Sequence, residues 1–178
     1  MKKEQTFLQS IENLWRLCVF QSTPQDLKVS LVLAATVIPL YLMGILATLV
    51  VTPGLKLSMA LGTGMVAGAL ALIALFLLGL HFYKGTRQYF LSTVLAIIGT
   101  QSIILFVNLP ALLFYTQIPV NNIAGQMVLG LMVILLGWSL AITGRILHFS
   151  LQISHALGSA IALSWVFIIR AGSLMILS

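Results

Sequence analysis

The chain has 178 residues, 60% of them hydrophobic and only 7% charged, with a mean hydropathy of +1.12; that balance excludes an ordinary soluble domain and places the chain in a membrane. All three acids, Glu4, Glu12 and Asp26, fall within the first 26 residues, so the remainder offers no side-chain carboxylate for a proton relay, a hydrolytic triad or a carboxylate metal site. The net charge of +6 comes from nine Lys and Arg set mostly between apolar runs, with no basic stripe for nucleic acid, so anionic lipid headgroups are the expected counter-charge.

Residues 1–22 form the first unit. Phe7, Ile11, Leu14 and Cys18, joined by Leu8 and Trp15, recur at helical spacing, while Lys3, Gln9, Glu12, Asn13 and Arg16 fill much of the remaining surface. The pattern predicts an amphipathic helix too short and too charged to span. It is expected in the cytoplasmic interface, with Phe7, Ile11, Leu14 and Trp15 docked in lipid and Lys2, Lys3, Arg16 and Lys28 reading anionic headgroups. Glu12 and Arg16 interrupt any signal-type apolar core and no A-x-A site follows, so the segment is expected to stay in the mature protein. Cys18 is the single cysteine and makes no internal disulfide.

The stretch QSTPQDLKVS, Gln21 to Ser30, precedes a long uncharged run. Thr23-Pro24-Gln25-Asp26 has the form of a helix start: a hydroxyl to cap free amides, proline at the first position and an acid behind it. It predicts the corner where the chain turns from lying along the membrane to crossing it, with Lys28 as anchor. The rival role for Asp26 is a proton or ligand site.

Residues 23–178 are predicted to be an all-α domain of five membrane helices: Val29 to Val51, Leu57 to Phe82, Phe90 to Leu113, Ala124 to Gly144 and Ile153 to Ile169. The breaks VTPGLK, HFYKGTRQY, FYTQIPVNN and RILHFSLQ are short, which joins antiparallel neighbours into a compact bundle. The runs are continuous rather than alternating, which argues against a barrel. With the N-terminus inside, the cytoplasmic side collects Lys2, Lys3, Arg16, Lys28, Lys84, Arg87 and Arg145, seven positive charges against Lys56 and Arg170 outside. The bias predicts a cytoplasmic N-terminus and a periplasmic C-terminus.

Within the spans, Ala60, Gly64 and Gly68 fall four apart, Gly130, Gly137 and Gly144 seven apart, and Ala156, Ala160 and Ser164 four apart. Small residues at these intervals let helices approach closely, either inside the bundle or in a homodimer. The third span carries Gly99-Thr100-Gln101-Ser102 near its middle. Burying the Gln101 amide unpaired costs several kcal/mol (~2–7), so Thr100, Gln101 and Ser102 are expected either to bond across helices or to line a polar path. Asn108-Leu109-Pro110 is expected to end or kink that span. His81 and His148 are expected near one face, where a haem between two helices is conceivable, although no CxxCH and no supporting acid accompany them. Arg145 and Arg170 read as snorkelling at helix ends.

From Lys84 onward the order of features resembles the Yip family, small membrane proteins that interact with Rab-type GTPases and also occur in bacteria. The residues that carry the likeness are KGTRQYFLSTVLAIIG, NLPALL and LLGWSLAITGRILHFSL, and the corner PQDLKVS is similar to the PQDLP-S segment of a proteobacterial group of small inner-membrane proteins. The resemblance implies a five-span protein of the bacterial inner membrane without enzymatic activity or cofactor. It would act through lipid and a membrane-protein partner or a second copy of itself. A GTPase-binding site is not implied, because no acidic patch is present to match one.

These readings converge on a non-enzymatic scaffold, assembly or membrane-organising factor. Two alternatives stand beside it. One is a small transporter or channel subunit with a path lined by Gln101, Ser102, Ser154 and Ser159; the other is a haem-binding redox subunit, which a Soret band would reveal.

Overall fold

The computed structural model describes residues 7–27, 29–51, 59–118 and 122–177. Among these there is no strand. The helices are α1 (Phe7–Cys18), α2 (Leu31–Val51), α3 (Met59–Lys84), α4 (Phe90–Gln117), α5 (Ile123–Leu151) and α6 (His155–Leu177), with single 3-10 turns at Pro24–Asp26 and Arg87–Tyr89. Three stretches are long and apolar enough to cross a bilayer: Leu31–Thr48, Arg87–Gln117 and Ile123–Leu151. In α3 and α6, helices of 26 and 23 residues, the apolar stretches described are shorter, Leu70–Lys84 and His155–Phe167.

Two helices, α4 and α5, run past the ends expected from the sequence. Proline 110 neither ends nor breaks α4, which continues to Gln117; only the hydrogen bond its missing N–H would make is lost, and the rest of the ladder holds because lipid offers the backbone no other partner. Pro39 sits inside α2 in the same way. Helix α5 was expected to stop at Gly144 but runs through Arg145 and His148 to Leu151, and only Gln152 to Ser154 separate it from α6. The turn is made by Gln152 in the left-handed region (φ 54°) and by Ser154 Oγ, which accepts from Leu157 N at 3.3 Å.

The Thr23–Asp26 corner forms, but it does not start the first long helix. The Asp26 carboxylate accepts from Thr23 N and Thr23 Oγ1, both at 2.8 Å, closing one 3-10 turn. Leu27 then goes extended, and α2 is capped instead by Ser30, whose Oγ accepts from Leu33 N at 3.1 Å.

Helix α4 is the central member. Half of its apolar stretch is buried, against 17% for α2 and 22% for α5, because α2, α5, α1 and α3 all pack on it. The core is displaced toward one end of the bundle. Its members, among them Leu33, Leu77, Leu95, Ile146, Leu147 and Leu151, come from the start of α2, the end of α3, the first half of α4 and the second half of α5. That is the end where the N-terminal corner docks. At the opposite end Met43, Val50, Phe114, Ile123 and Met127 are exposed, as apolar side chains are when lipid is the solvent.

Candidate functional site

Two features stand apart from plain apolar packing: a polar clasp between α4 and α5, and the end of the bundle where α1, Arg145 and His148 meet.

In the clasp, Gln101 Nε2 donates to Ser139 Oγ at 2.9 Å and to Thr143 Oγ1 at 3.0 Å. Ser139 Oγ donates back to Gln101 Oε1 at 3.0 Å, and Thr143 Oγ1 donates to the Ser139 carbonyl at 2.9 Å. Both ends of the amide are therefore bonded. Thr100 turns to its own helix, donating to the Ala96 and Ile97 carbonyls, and Ser102 donates to the Ile98 carbonyl. The three polar residues thus do not converge on a shared space. Sequence reasoning singled out Gln101 but missed Ser139 and Thr143; their four-residue spacing, which puts two hydroxyls on one helix face, was the available signal.

The glycine motifs divide. Gly144 meets α6 at its backbone: a Cβ there would lie 2.5 Å from Ser159 Oγ and 3.0 Å from Ser159 Cα and N. Gly158, unremarked in the sequence, is its partner, since a Cβ on it would run into the Gly144 carbonyl oxygen. By contrast Gly68, Gly130 and Gly137 are exposed and a Cβ on any of them would meet nothing within 4 Å. The heptad of glycines is thus an internal seam at one of its three members. The side chains of Phe7 and Ala60, the surroundings of Gly64, and Lys28 lie outside the described residues.

Helix α1 has one broad apolar arc, half of it covered and half exposed. Leu14, Leu17 and Cys18 are buried, with Leu14 lying against Gly99, and Trp138 Nε1 on α5 donates to the Cys18 carbonyl at 3.0 Å. Leu14, expected in lipid, faces α4 instead. Gly99 stands nine residues into α4, roughly 14 Å along its axis at 1.5 Å per residue, so α1 is wedged against the side of α4, with Trp138 of α5 reaching its last turn. The adjoining half of the arc carries Leu8, Ile11 and Trp15, exposed by 75%, 42% and 49%. The Glu12–Arg16 ion pair, 2.6 Å, runs beside that face. Burial pushes the Cys18 thiol up to about 11.

After α1 the chain turns at Phe20, whose φ is 62°, a backbone region that favours glycine. Gln21 N bonds the Arg16 carbonyl at 2.8 Å, and Gln25 Nε2 reaches the Phe149 carbonyl at 3.2 Å. These contacts bring the corner to the last two turns of α5. There the Arg145 guanidinium carbon lies 5.4 Å from the ring centres of both Phe20 and Phe149. Arg145 Nε is enclosed and has no acceptor among the described residues.

Each of two histidines closes a helix end. The buried His81 directs Nδ1 at the Thr86 carbonyl (3.0 Å) and Thr86 Oγ1 (2.8 Å), across a turn in which Gly85 has φ 70° and Thr86 N bonds the His81 carbonyl at 3.0 Å. His148 directs Nδ1 at the Ile153 carbonyl, also five residues on, and its ring stacks on His155 with centres 3.9 Å apart. A carbonyl only accepts, which assigns the His148 proton to Nδ1, whereas His81 Nδ1 also has beside it a hydroxyl that can donate or accept. This assigns His81 and His148 to corner closure. No group of three or more His, Cys, Asp or Glu gathers among the described residues.

The chain matches no protein-family model, no curated protein and no solved structure.

Proposed function

We propose that this protein is a non-enzymatic scaffold or assembly factor of the bacterial inner membrane, crossing it five times with α2 to α6, its N-terminus cytoplasmic and its C-terminus periplasmic. Helices α3 and α6 complete the count of crossings: at about 1.5 Å per residue their lengths, 26 and 23 residues, exceed a hydrocarbon core of ~30 Å. The positive-charge bias and the likeness of KGTRQYFLSTVLAIIG and PQDLKVS to Yip-type proteins support the same arrangement.

The observation that carries the reading is the closure of the Gln101 amide by Ser139 and Thr143. The side chain best placed to line a path through the bundle is used to hold α4 to α5, which favours a rigid core over a conduit. Contacts are left to the periphery. The outer face of α1, with Leu8, Ile11 and Trp15, is the surface we assign to the lipid interface and a membrane-protein partner.

Affinity purification of the full chain in mild detergent tests the assignment, with Leu8, Ile11 and Trp15 replaced together by serine in the comparison sample. A defined partner held by the wild type and lost from the variant is the expected result; the same set from both would overturn it. The conduit alternative is addressed by placing a cysteine at position 101 in a background without Cys18. Labelling by a membrane-impermeant thiol reagent would restore the transporter reading.

A further inference from the structure

A guanidinium does not lose its proton in a protein, so an enclosed arginine needs an anion. Arg145 has none among the described residues. Of the three acids, Glu4 lies outside the described residues, Glu12 is bonded to Arg16 at 2.6 Å, and Asp26 is bonded twice to Thr23. The sequence reading of Arg145 as a snorkelling helix end also fails on position. It stands six residues before the end of α5, roughly 9 Å along the axis, and its Nε is fully enclosed.

The surroundings are built around its charge. Phe20 and Phe149 lie at equal distance from the guanidinium, 5.4 Å to each ring centre. Phe20 holds that place from a left-handed backbone, φ 62°, at the position after a helix where glycine is the easy choice. Two backbone bonds, Phe20 N to the Leu17 carbonyl at 3.2 Å and Gln21 N to the Arg16 carbonyl at 2.8 Å, keep it there. A strained residue that delivers an aromatic wall to an unpaired cation is the mark of a binding position. With both rings close to its central carbon, the N–H fork of Arg145 is the part that recognises a ligand, and it matches the paired oxygens of a phosphate.

We propose that Arg145, beside Phe20 and Phe149, binds the phosphate of an anionic phospholipid in the leaflet that holds the N-terminal corner. The proposal rests on the membrane placement of the bundle given above, but not on α1 having a protein partner. The lipid supplies the counter-charge that the sequence lacks beyond Asp26, and it locks α1, the corner and α5 together at one point.

Native mass spectrometry of the full chain from neutral detergent, titrated with phosphatidylglycerol, phosphatidylcholine or inorganic phosphate, tests it. The wild type should keep a phosphatidylglycerol adduct, R145Q should retain it roughly tenfold less, and R87Q, which alters an exposed cation at another corner, should match the wild type. Serine at Leu8, Ile11 and Trp15 should leave the adduct in place, which separates this outcome from failure of the partner reading. Equal retention by R145Q overturns the proposal, and displacement of the lipid by millimolar inorganic phosphate overturns its lipid source. Should R145Q not fold, R145K and F20A take its place, each expected to lose retention severalfold; wild-type retention in both overturns the proposal.

Discussion

Leu14 of α1 occupies the notch that Gly99 leaves in α4: a Cβ at Gly99 would stand 2.6 Å from Leu14 Cδ2 and 2.9 Å from Cδ1. The wedge position of α1 depends on that missing methyl group. Gly99→Ala should overpack the contact and destabilise the bundle by about 1–3 kcal/mol, and Leu14→Ala in the same chain should recover part of the loss by removing the clashing branch. Thermal unfolding of the two single variants and the double variant in detergent checks the coupling. Additive losses would mean that α1 and α4 do not meet there.

The Gln101 clasp should behave as an interhelical bond, not as part of a path. Gln101→Leu removes the group that needs partners along with the bonds and should cost little, about 0.6–2 kcal/mol. Ser139→Ala leaves Oε1 without its donor while Nε2 keeps Thr143, and should be at least as harmful despite its smaller change in size. Unfolding midpoints of the two variants decide the order.

The long helices were legible because each apolar run is continuous and the turns between them are short. Their ends were not, since the usual stop signals, Pro110 in α4 and the polar group after Gly144 in α5, do not stop a helix whose backbone has no water to turn to. Periodicity also identified α1 and its apolar side but not which part of it is covered, because Leu14, Leu17 and Cys18 and, adjoining them, Leu8, Ile11 and Trp15 make one continuous apolar arc. Only the tertiary contact with Gly99 tells which part of the arc goes in. The glycines teach the same lesson: Gly130, Gly137 and Gly144 share one seven-residue interval, and what makes Gly144 a seam is Gly158 on the next helix.

That division sets opposite expectations for one substitution. Gly158→Ala drives a methyl group into the Gly144 carbonyl and should open the α5–α6 hairpin, lowering stability by about 1–3 kcal/mol. Gly130→Ala and Gly137→Ala meet open space and should leave a monomer as stable as before or better, by up to ~1 kcal/mol from the gain in helix propensity. If the outer pair is instead a homodimer seam, the alanine variants will shift the chain toward monomer in size-exclusion chromatography with light scattering while unfolding remains unchanged.

Cys18 reports whether α1 stays wedged. Burial pushes its thiol up to about 11, so near pH 8 its reactive thiolate fraction is about a hundredfold below that of a free cysteine, in addition to the shielding itself. Alkylation of the folded chain at pH 8 should accordingly be slow, and Gly99→Ala, which displaces Leu14, should speed it severalfold. The pH dependence has a definite sign. The folded thiol keeps its proton up to about pH 11 while the released thiol ionises above about 9, so between those values release of α1 gives up a proton and becomes easier as pH rises. Below about pH 9 this group leaves the stability of the wedge unchanged. Alkylation of the wild type at the rate of a free cysteine at pH 8 would place α1 outside the bundle, and with it would go the Trp138 bond to the Cys18 carbonyl and the seat of Phe20 beside Arg145.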